Sequence, residues 1–349
     1  MRFFLFISVL FFSACSEKEA SFIIDDIKQL TYDGDNGEAY FNADASKVIF
    51  QSKRGDNECD KLFSVNLDGT QLAAFPEQDG AYTCAYYSLD DTYLFYASTL
   101  HLGEKCPEIY KDPNPRKYIW PLRSFEIFRT SVNETIALTD TPNGYNAEAT
   151  IHPSEEKIIF TSLRDGDINL YEMNYDGSDL KQITSEYGYD GGAFYSPDGT
   201  QIVWRAWYPS TEEERIQWAE NLEKRYIESV PLNIYIADRD GSNKKQITNN
   251  QATNWAPSWL PDGKHIIFSS NMDDWREDYQ AYGSNFELYV INIESLKIQR
   301  ITFNQTFDSF PVVAIDNEDS KRFKIVFASN RNAKNPRQTN IFTGYLYTN

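Results

Sequence analysis

Histidine and methionine are scarce in this chain of 349 residues, with three of each, and cysteine occurs four times. His101, His152 and His265 are too few to build a His-rich metal centre. Positive charge is also short: 33 Lys and Arg stand against 52 Asp and Glu, a formal net charge of −19. A chain this acidic is repelled by phosphate backbones and anionic lipid, which excludes nucleic acid and the bare membrane surface as primary ligands. The sequence has no Gly-x-Ser-x-Gly elbow and no His-Glu-x-x-His, so it lacks both the α/β-hydrolase nucleophile and the zincin site. Its charge-free apolar run after Arg2, FFLFISVLFFSA, has twelve residues and is too short to cross a bilayer. What the chain has in excess is aromatic: 15% of residues, with 23 Tyr, 23 Phe and 7 Trp. Flat rings suit a pleated, half-buried surface, which points to strands. A hydrophobic content of 41% supports a packed core, and the length fits two domains or one large one.

The N-terminus reads as a secretory address. A basic residue, an apolar run and small residues before Cys15 form a signal peptide over residues 1–14. Phe12-Ser13-Ala14-Cys15 resembles a bacterial lipobox, in which the Cys becomes the lipidated mature N-terminus; the alternative is an ordinary signal with an incidental Cys. Residues 15–22 then serve as lipidated Cys and tether, and residues 23–349 as the folded unit. Ser16 resembles the second residue of lipoproteins sent to the outer membrane.

Internal repeats decide between one domain and two. The unit at 146–184 recurs from Asp190 and Asn254 and, with more drift, from Asn36, Tyr82 and Asp308. In five units an aromatic closes the second strand fourteen residues after the start: Phe50, Tyr96, Phe160, Trp204 and Phe268. In the sixth, an insertion near Asn317 moves it to Phe327. Each unit reads as four short strands with turns such as Ser196-Pro197-Asp198-Gly199 and Asp176-Gly177-Ser178. Six such units make an all-β, six-bladed propeller. The sixth unit stops at its third strand, and Ile27-Lys28-Gln29-Leu30-Thr31 matches the fourth strand Lys181-Gln182-Ile183-Thr184. The N-terminal strand is therefore expected to close the ring.

Tandem blades of this type resemble the TolB-like, WD-repeat-like propellers of bacteria. More narrowly, Cys59-Asp60, Thr83-Cys84, Tyr96-Ala97-Ser98-Thr99, Trp120-Pro121-Leu122, Tyr189-Asp190-Gly191-Gly192 and the insertion at 210–231 are similar to propeller-only, Tol-associated lipoproteins, which lack the α/β domain of TolB. The resemblance implies an envelope-anchored binding or scaffold protein. It acts as a monomer on an envelope protein or peptide and touches the membrane only through its lipid. A carbohydrate-active or hydrolytic enzyme is the alternative.

The tight turns of every blade fall on one side, so the long connections at 53–60, 99–124, 207–232 and 271–285 share the other, which is where binding is expected. Asn36, Tyr82, Asn146, Asp190, Asn254 and Asp308 start the six inner strands and are expected to ring the channel mouth. Such Asx residues can hold a cation, water or a peptide terminus, or simply cap the entry turns. Glu38 and Glu148, two positions on, add carboxylates that suit a divalent cation or a basic peptide. Cys59, Cys84 and Cys106 all map to the loop face; two of them are expected to form a disulfide, with a three-Cys-plus-His101 zinc site as the alternative. Residues 210–227 read as a helix with Ile216, Ala219, Leu222 and Tyr226 on one stripe, acting as a lid or packed on a blade edge. Trp120, Trp207 and Trp275 can stack on a ligand. Arg164, at the same offset as Arg54 and Arg331, and Arg205 can take a carboxylate or bridge neighbouring acids.

Overall fold

The computed structural model describes residues 21–75, 79–111, 119–142, 144–275, 285–305, 307–335 and 338–348. The expected signal peptide and lipidated Cys15 lie outside the described residues. Six four-stranded antiparallel sheets are arranged as the blades of a propeller. Their first, innermost strands are Asp35–Phe41, Tyr82–Tyr87, Asn146–Ile151, Tyr189–Tyr195, Asn254–Trp259 and Asp308–Ile315, for blades 1 to 6 in order. Each contacts the inner strand on either side, the last returning to the first, so the inner strands close a ring around one axis.

The repeating aromatic explains how each blade holds together. All six residues, Phe50, Tyr96, Phe160, Trp204, Phe268 and Phe327, are fully buried. Each sits directly across from an aromatic of the third strand, in the pairs Phe50–Phe63, Tyr96–Phe128, Phe160–Tyr171, Trp204–Tyr235, Phe268–Tyr289 and Phe327–Phe342. Ring centroids in these pairs are 5.8 to 6.2 Å apart. Cross-strand aromatic pairs of this kind are a favourable unit of sheet stabilisation.

The end of five of the six units is fixed by a threonine. In blades 2 to 5 the hydroxyls of Thr139, Thr184, Thr248 and Thr302 accept from the backbone N–H of Ile127, Leu170, Ile234 and Leu288 at 2.8 to 2.9 Å. In blade 6 the same bond runs from Ile341 N–H to Thr31 at 2.9 Å. The closing strand, Phe22–Gln29, is longer than the sequence match suggests and pairs antiparallel with Asn340–Thr348, with a bulge between Asp25 and Lys28. The chain's first described strand thus completes its last blade.

Candidate functional site

Every inner strand carries a β-bulge at the same place, two residues past its Asx or Tyr start. The residue there is Glu38, Cys84, Glu148, Gly192, Ala256 or Phe310, and all six have φ between 48° and 63°. A left-handed backbone is uncommon for a non-glycine residue, so its recurrence in every blade marks a built feature of the ring. Three bulges, in consecutive blades, carry Glu, Cys and Glu. The next three carry Gly, Ala and Phe.

Around that ring a polar cluster is assembled. The Cys84 thiol donates to Glu38 Oε2 at 2.9 Å, and Gln51 Oε1 accepts from both Cys84 N–H at 3.0 Å and Thr83 Oγ at 2.8 Å. Glu148 pairs with Arg205, both nearly buried, and also accepts from Thr161 Oγ at 2.8 Å. Arg205 reaches the channel because blade 4 has glycine at its bulge: a Cβ on Gly192 would lie 1.8 Å from the guanidinium. Its charge sits against three rings, 3.9 Å from Trp255, 5.3 Å from Trp120 and 5.6 Å from Tyr189. Burial works against that charge, but Glu148 together with Tyr189 and Tyr145 outweighs it, and Arg205 is held more firmly protonated than usual. Burial, reinforced by Glu148, pushes Glu38 up to about 7 despite the lowering effect of the Cys84 hydrogen bond. Burial and then Glu38 push the Cys84 thiol well above its ordinary range, so it stays protonated.

The floor of the site is aromatic. Tyr40, Tyr86 and Phe194 stand two residues beyond the bulges of blades 1, 2 and 4, and their centroids are 5.1 to 6.4 Å apart. Blades 1 and 4 face each other across a six-bladed ring, so these rings meet on the axis and obstruct it on the tight-turn side. The roof is partial. Ile119–Pro121, from the blade 2 insertion, pairs with Tyr226–Glu228, from the blade 4 insertion. Trp120 reaches from this strap to Trp255 of blade 5, with centroids 5.0 Å apart, and to Tyr189 of blade 4, at 6.2 Å. The arrangement is a blind funnel entered from the loop face, roofed over Arg205, with Glu38, Ala256 and Phe310 still partly exposed. An open cleft between blades 1 and 2, lined by Phe63, Phe75, Tyr87 and the 131–135 turn, lies apart from this cluster.

The Asx starts do not point freely into the mouth. They are buried and spent on clasps between strands. Asn36 Oδ1 accepts from Ser52 Oγ at 2.9 Å and Arg54 Nη2 at 2.6 Å. Asn146 repeats this with Ser162 at 2.7 Å and Arg164 at 3.0 Å. Asp308 takes Arg331 at 2.5 Å, and Asn254 takes Ser270 at 2.9 Å. Asp190 accepts from Trp204 Nε1 at 2.7 Å and Tyr208 OH at 2.6 Å, and burial lifts its carboxyl to about 6 against those bonds. Arg54, Arg164 and Arg331 lie over the two aromatics of their own blades. Of the two roles the sequence offers for the Asx starts, the hydrogen bonds here are those of a repeated structural clasp, and Arg164 belongs to that clasp.

The other expected residues separate. Cys84 lies in the funnel, whereas Cys59 lies elsewhere on the loop face, its thiol donating to the carbonyl of Lys105, the residue before Cys106. All three are free thiols in this structure. His101 is exposed and stacked on Phe128 at 6.4 Å, and among the described residues no three His, Cys, Asp or Glu side chains come together as metal ligands. The zinc alternative therefore has no assembled site there. The helix is Glu212–Glu223, capped by Thr211 and Glu214 in a reciprocal capping box. Its buried side is Trp218, Asn221 and Leu222, not the stripe expected from spacing: Ile216 is 53% exposed, and Tyr226 belongs to the strap. Trp218 explains the change, since its Nε1 donates to Asp167 at 2.8 Å and its ring meets Trp207 and Tyr189. Sequence reasoning did not single out Tyr40, Tyr86, Phe194, Gln51 or Trp255. The signal for the aromatic floor was present, because those residues recur four positions after the strand starts.

No protein-family model matches the chain. Among curated proteins it is similar to dipeptidyl-peptidase 5 of Porphyromonas gingivalis, 30% identical over 76 residues, which is 22% of this chain and 9% of that protein. It is also similar to a TolB homologue of Chlorobium luteolum, 24% identical over 138 residues, 32% of this chain and 31% of that protein. Both matches take up less than a third of the relative's length. Among solved structures, TolB from Agrobacterium tumefaciens superposes with a TM-score of 0.55 at 14% identity, covering 82% of this chain and 90% of that one. TolB from Acinetobacter baumannii does so with a TM-score of 0.55 at 15% identity, covering 87% and 64%.

Proposed function

We propose that this chain, a six-bladed propeller of the TolB type, is an envelope-anchored binding protein that takes a segment of a partner protein into its loop-face funnel. The lipobox-like Cys15 behind a signal sequence supports export and lipid anchoring at the outer membrane, and the fold is one shared with TolB proteins. The observation that carries the reading is the funnel itself: a one-ended arrangement with a half-buried acidic residue, Glu38, beside an aromatic wall. That chemistry suits an amino or guanidinium group presented by a loop or chain end. The aromatic faces add cation–π attraction and the Glu38 carboxylate supplies the counter-charge.

The experiment is retention of a partner from envelope extracts by the wild-type protein, set beside Glu38→Gln and Trp120→Ala. Retention of one defined protein that both substitutions weaken supports the reading. Equal retention by all three chains places binding somewhere other than the funnel and overturns it.

A second reading rests on one observation. Glu38 and Glu148 line the same funnel in unlike settings, one lifted to about 7 and the other paired with Arg205. One carboxyl raised by burial and a second held in an ion pair resemble the unlike settings of an acid and a nucleophile in glycoside hydrolysis. A saccharide that raises the melting temperature and is turned over, with turnover lost in Glu148→Gln, would favour this reading over the first.

A further inference from the structure

We infer that Cys59 and Cys106 form a disulfide that fastens the funnel's roof to blade 1, leaving Cys84 as the free thiol. The pair comes from two loops 47 residues apart in sequence, and the structure places Cys59 against the residue that precedes Cys106. The docking around them is specific. Cys59 Sγ lies 3.5 Å from the carbonyl of Lys105 and 3.7 Å from that of Gly80, and Gly80 N–H donates to Lys105 at 3.2 Å. The segment before Cys106 is therefore held against the start of blade 2 before any bond forms. Cys84 is excluded as a partner because it is buried in the funnel, its S–H donating a hydrogen bond to Glu38.

The two sulfurs differ in access, which sets the order of the reaction. Cys59 is buried, and burial with the Cys106 contact raises it to about 12; Cys106 is partly exposed. The Cys106 thiolate attacks an oxidised small-molecule or protein disulfide and releases one thiolate as a mixed disulfide forms. Cys59 then attacks the Cys106 sulfur, its proton passing to the second departing thiolate. Two thiols lose two protons and two electrons in all, and the external disulfide is reduced to two thiols. The oxidising compartment needed in the cell is the one implied by the envelope reading above, on which this part rests.

The consequence lies in the strap. Cys106 belongs to the same insertion as Trp120, which covers Arg205. Arg123 ties the two ends of that insertion together by donating to the Pro107 carbonyl at 3.0 Å. A bond from Cys106 to Cys59 therefore anchors to blade 1 a segment that otherwise leans on blades 4 and 5.

The test uses the purified full-length protein equilibrated in a glutathione redox buffer, trapped with N-ethylmaleimide and mapped by mass spectrometry without reduction. A Cys59–Cys106 linked peptide, with Cys84 labelled only after denaturation, is expected. Three labelled thiols, or a link to Cys84, overturn the assignment. Reduction is expected to lower the melting temperature by on the order of 5 °C and to speed proteolysis within residues 100–123, with neither change in Cys106→Ser. A bond that forms without these effects removes the fastening role. Trapping in intact cells separates the two readings: a bond formed in buffer but found reduced in cells stands as chemistry and overturns the envelope location.

Discussion

At the scale of single residues, the funnel joins groups whose states depend on one another. A carboxyl whose folded pKa is raised binds more protons folded than unfolded. Its effect on stability is therefore unfavourable above the unfolded value and grows as pH rises. For Glu38 the window runs from 4.5 to about 7, and a shift of that size corresponds to about 3 kcal/mol. Glu38→Gln should leave the melting temperature at pH 4.5 nearly unchanged and raise it at pH 8; a gain at both pH values would contradict the assignment. The Cys84 thiol counts among the groups that lower Glu38, so Cys84→Ala should move the Glu38 titration upward, as read from the carboxyl infrared band. Gly192→Ala and Arg205→Met test the opposite side of the ring. Either strands Glu148 without its partner, and a broken buried pair costs about 3–5 kcal/mol in chemical denaturation. That the two substitutions should cost similar amounts follows from the 1.8 Å approach to Arg205.

At the scale of elements, the repeated threonine bond makes the closing strand equivalent to the fourth strands inside the chain. Thr31→Val and Thr248→Val should each cost about 1 kcal/mol, and a negligible cost for Thr31 alone would mean that the last blade is held differently. Deleting residues 21–32 exposes the edge of Asn340–Thr348 and should abolish the single cooperative melting transition. The blades and their closure were legible in the sequence because every blade repeats the same local bonds. A spacing of fourteen residues to a buried aromatic and a Lys-Gln-x-Thr ending each leave a visible trace. The strap was not legible. Ile119–Pro121 and Tyr226–Glu228 lie more than a hundred residues apart and share no pattern that announces their pairing. The arginines show the same limit. Arg164, at the offset of Arg54 and Arg331, completes a clasp on Asn146, whereas Arg205, within its second strand, turns into the channel. The room it turns into is left by the missing side chain at Gly192, a residue on another strand. The helix stripe misled for a related reason: Trp218 had a partner, Asp167, that no periodicity encodes.

For the whole molecule, the described parts form one ring with unlike ends. Tight turns and the Tyr40–Tyr86–Phe194 contact occupy one end, and the strap and insertions occupy the other. An occupant enters and leaves by one port, so a long polypeptide cannot be threaded through the axis. Opening the floor tests this. Tyr86→Ala should leave the ring folded while weakening retention of any ligand that reaches the bottom, measured by isothermal titration calorimetry against wild type. A ligand that ignores the change is held at the rim.

The closing strand also sets a timetable. Phe22–Gln29 finds its partner only once Asn340–Thr348 exists, an interval of roughly 15 to 65 s at a synthesis rate of about 5–20 residues per second. The strand made before the other blades is thus among the last to be placed. A chain broken off anywhere before residue 340 never acquires that partner, so the finished ring doubles as a record that synthesis passed that point.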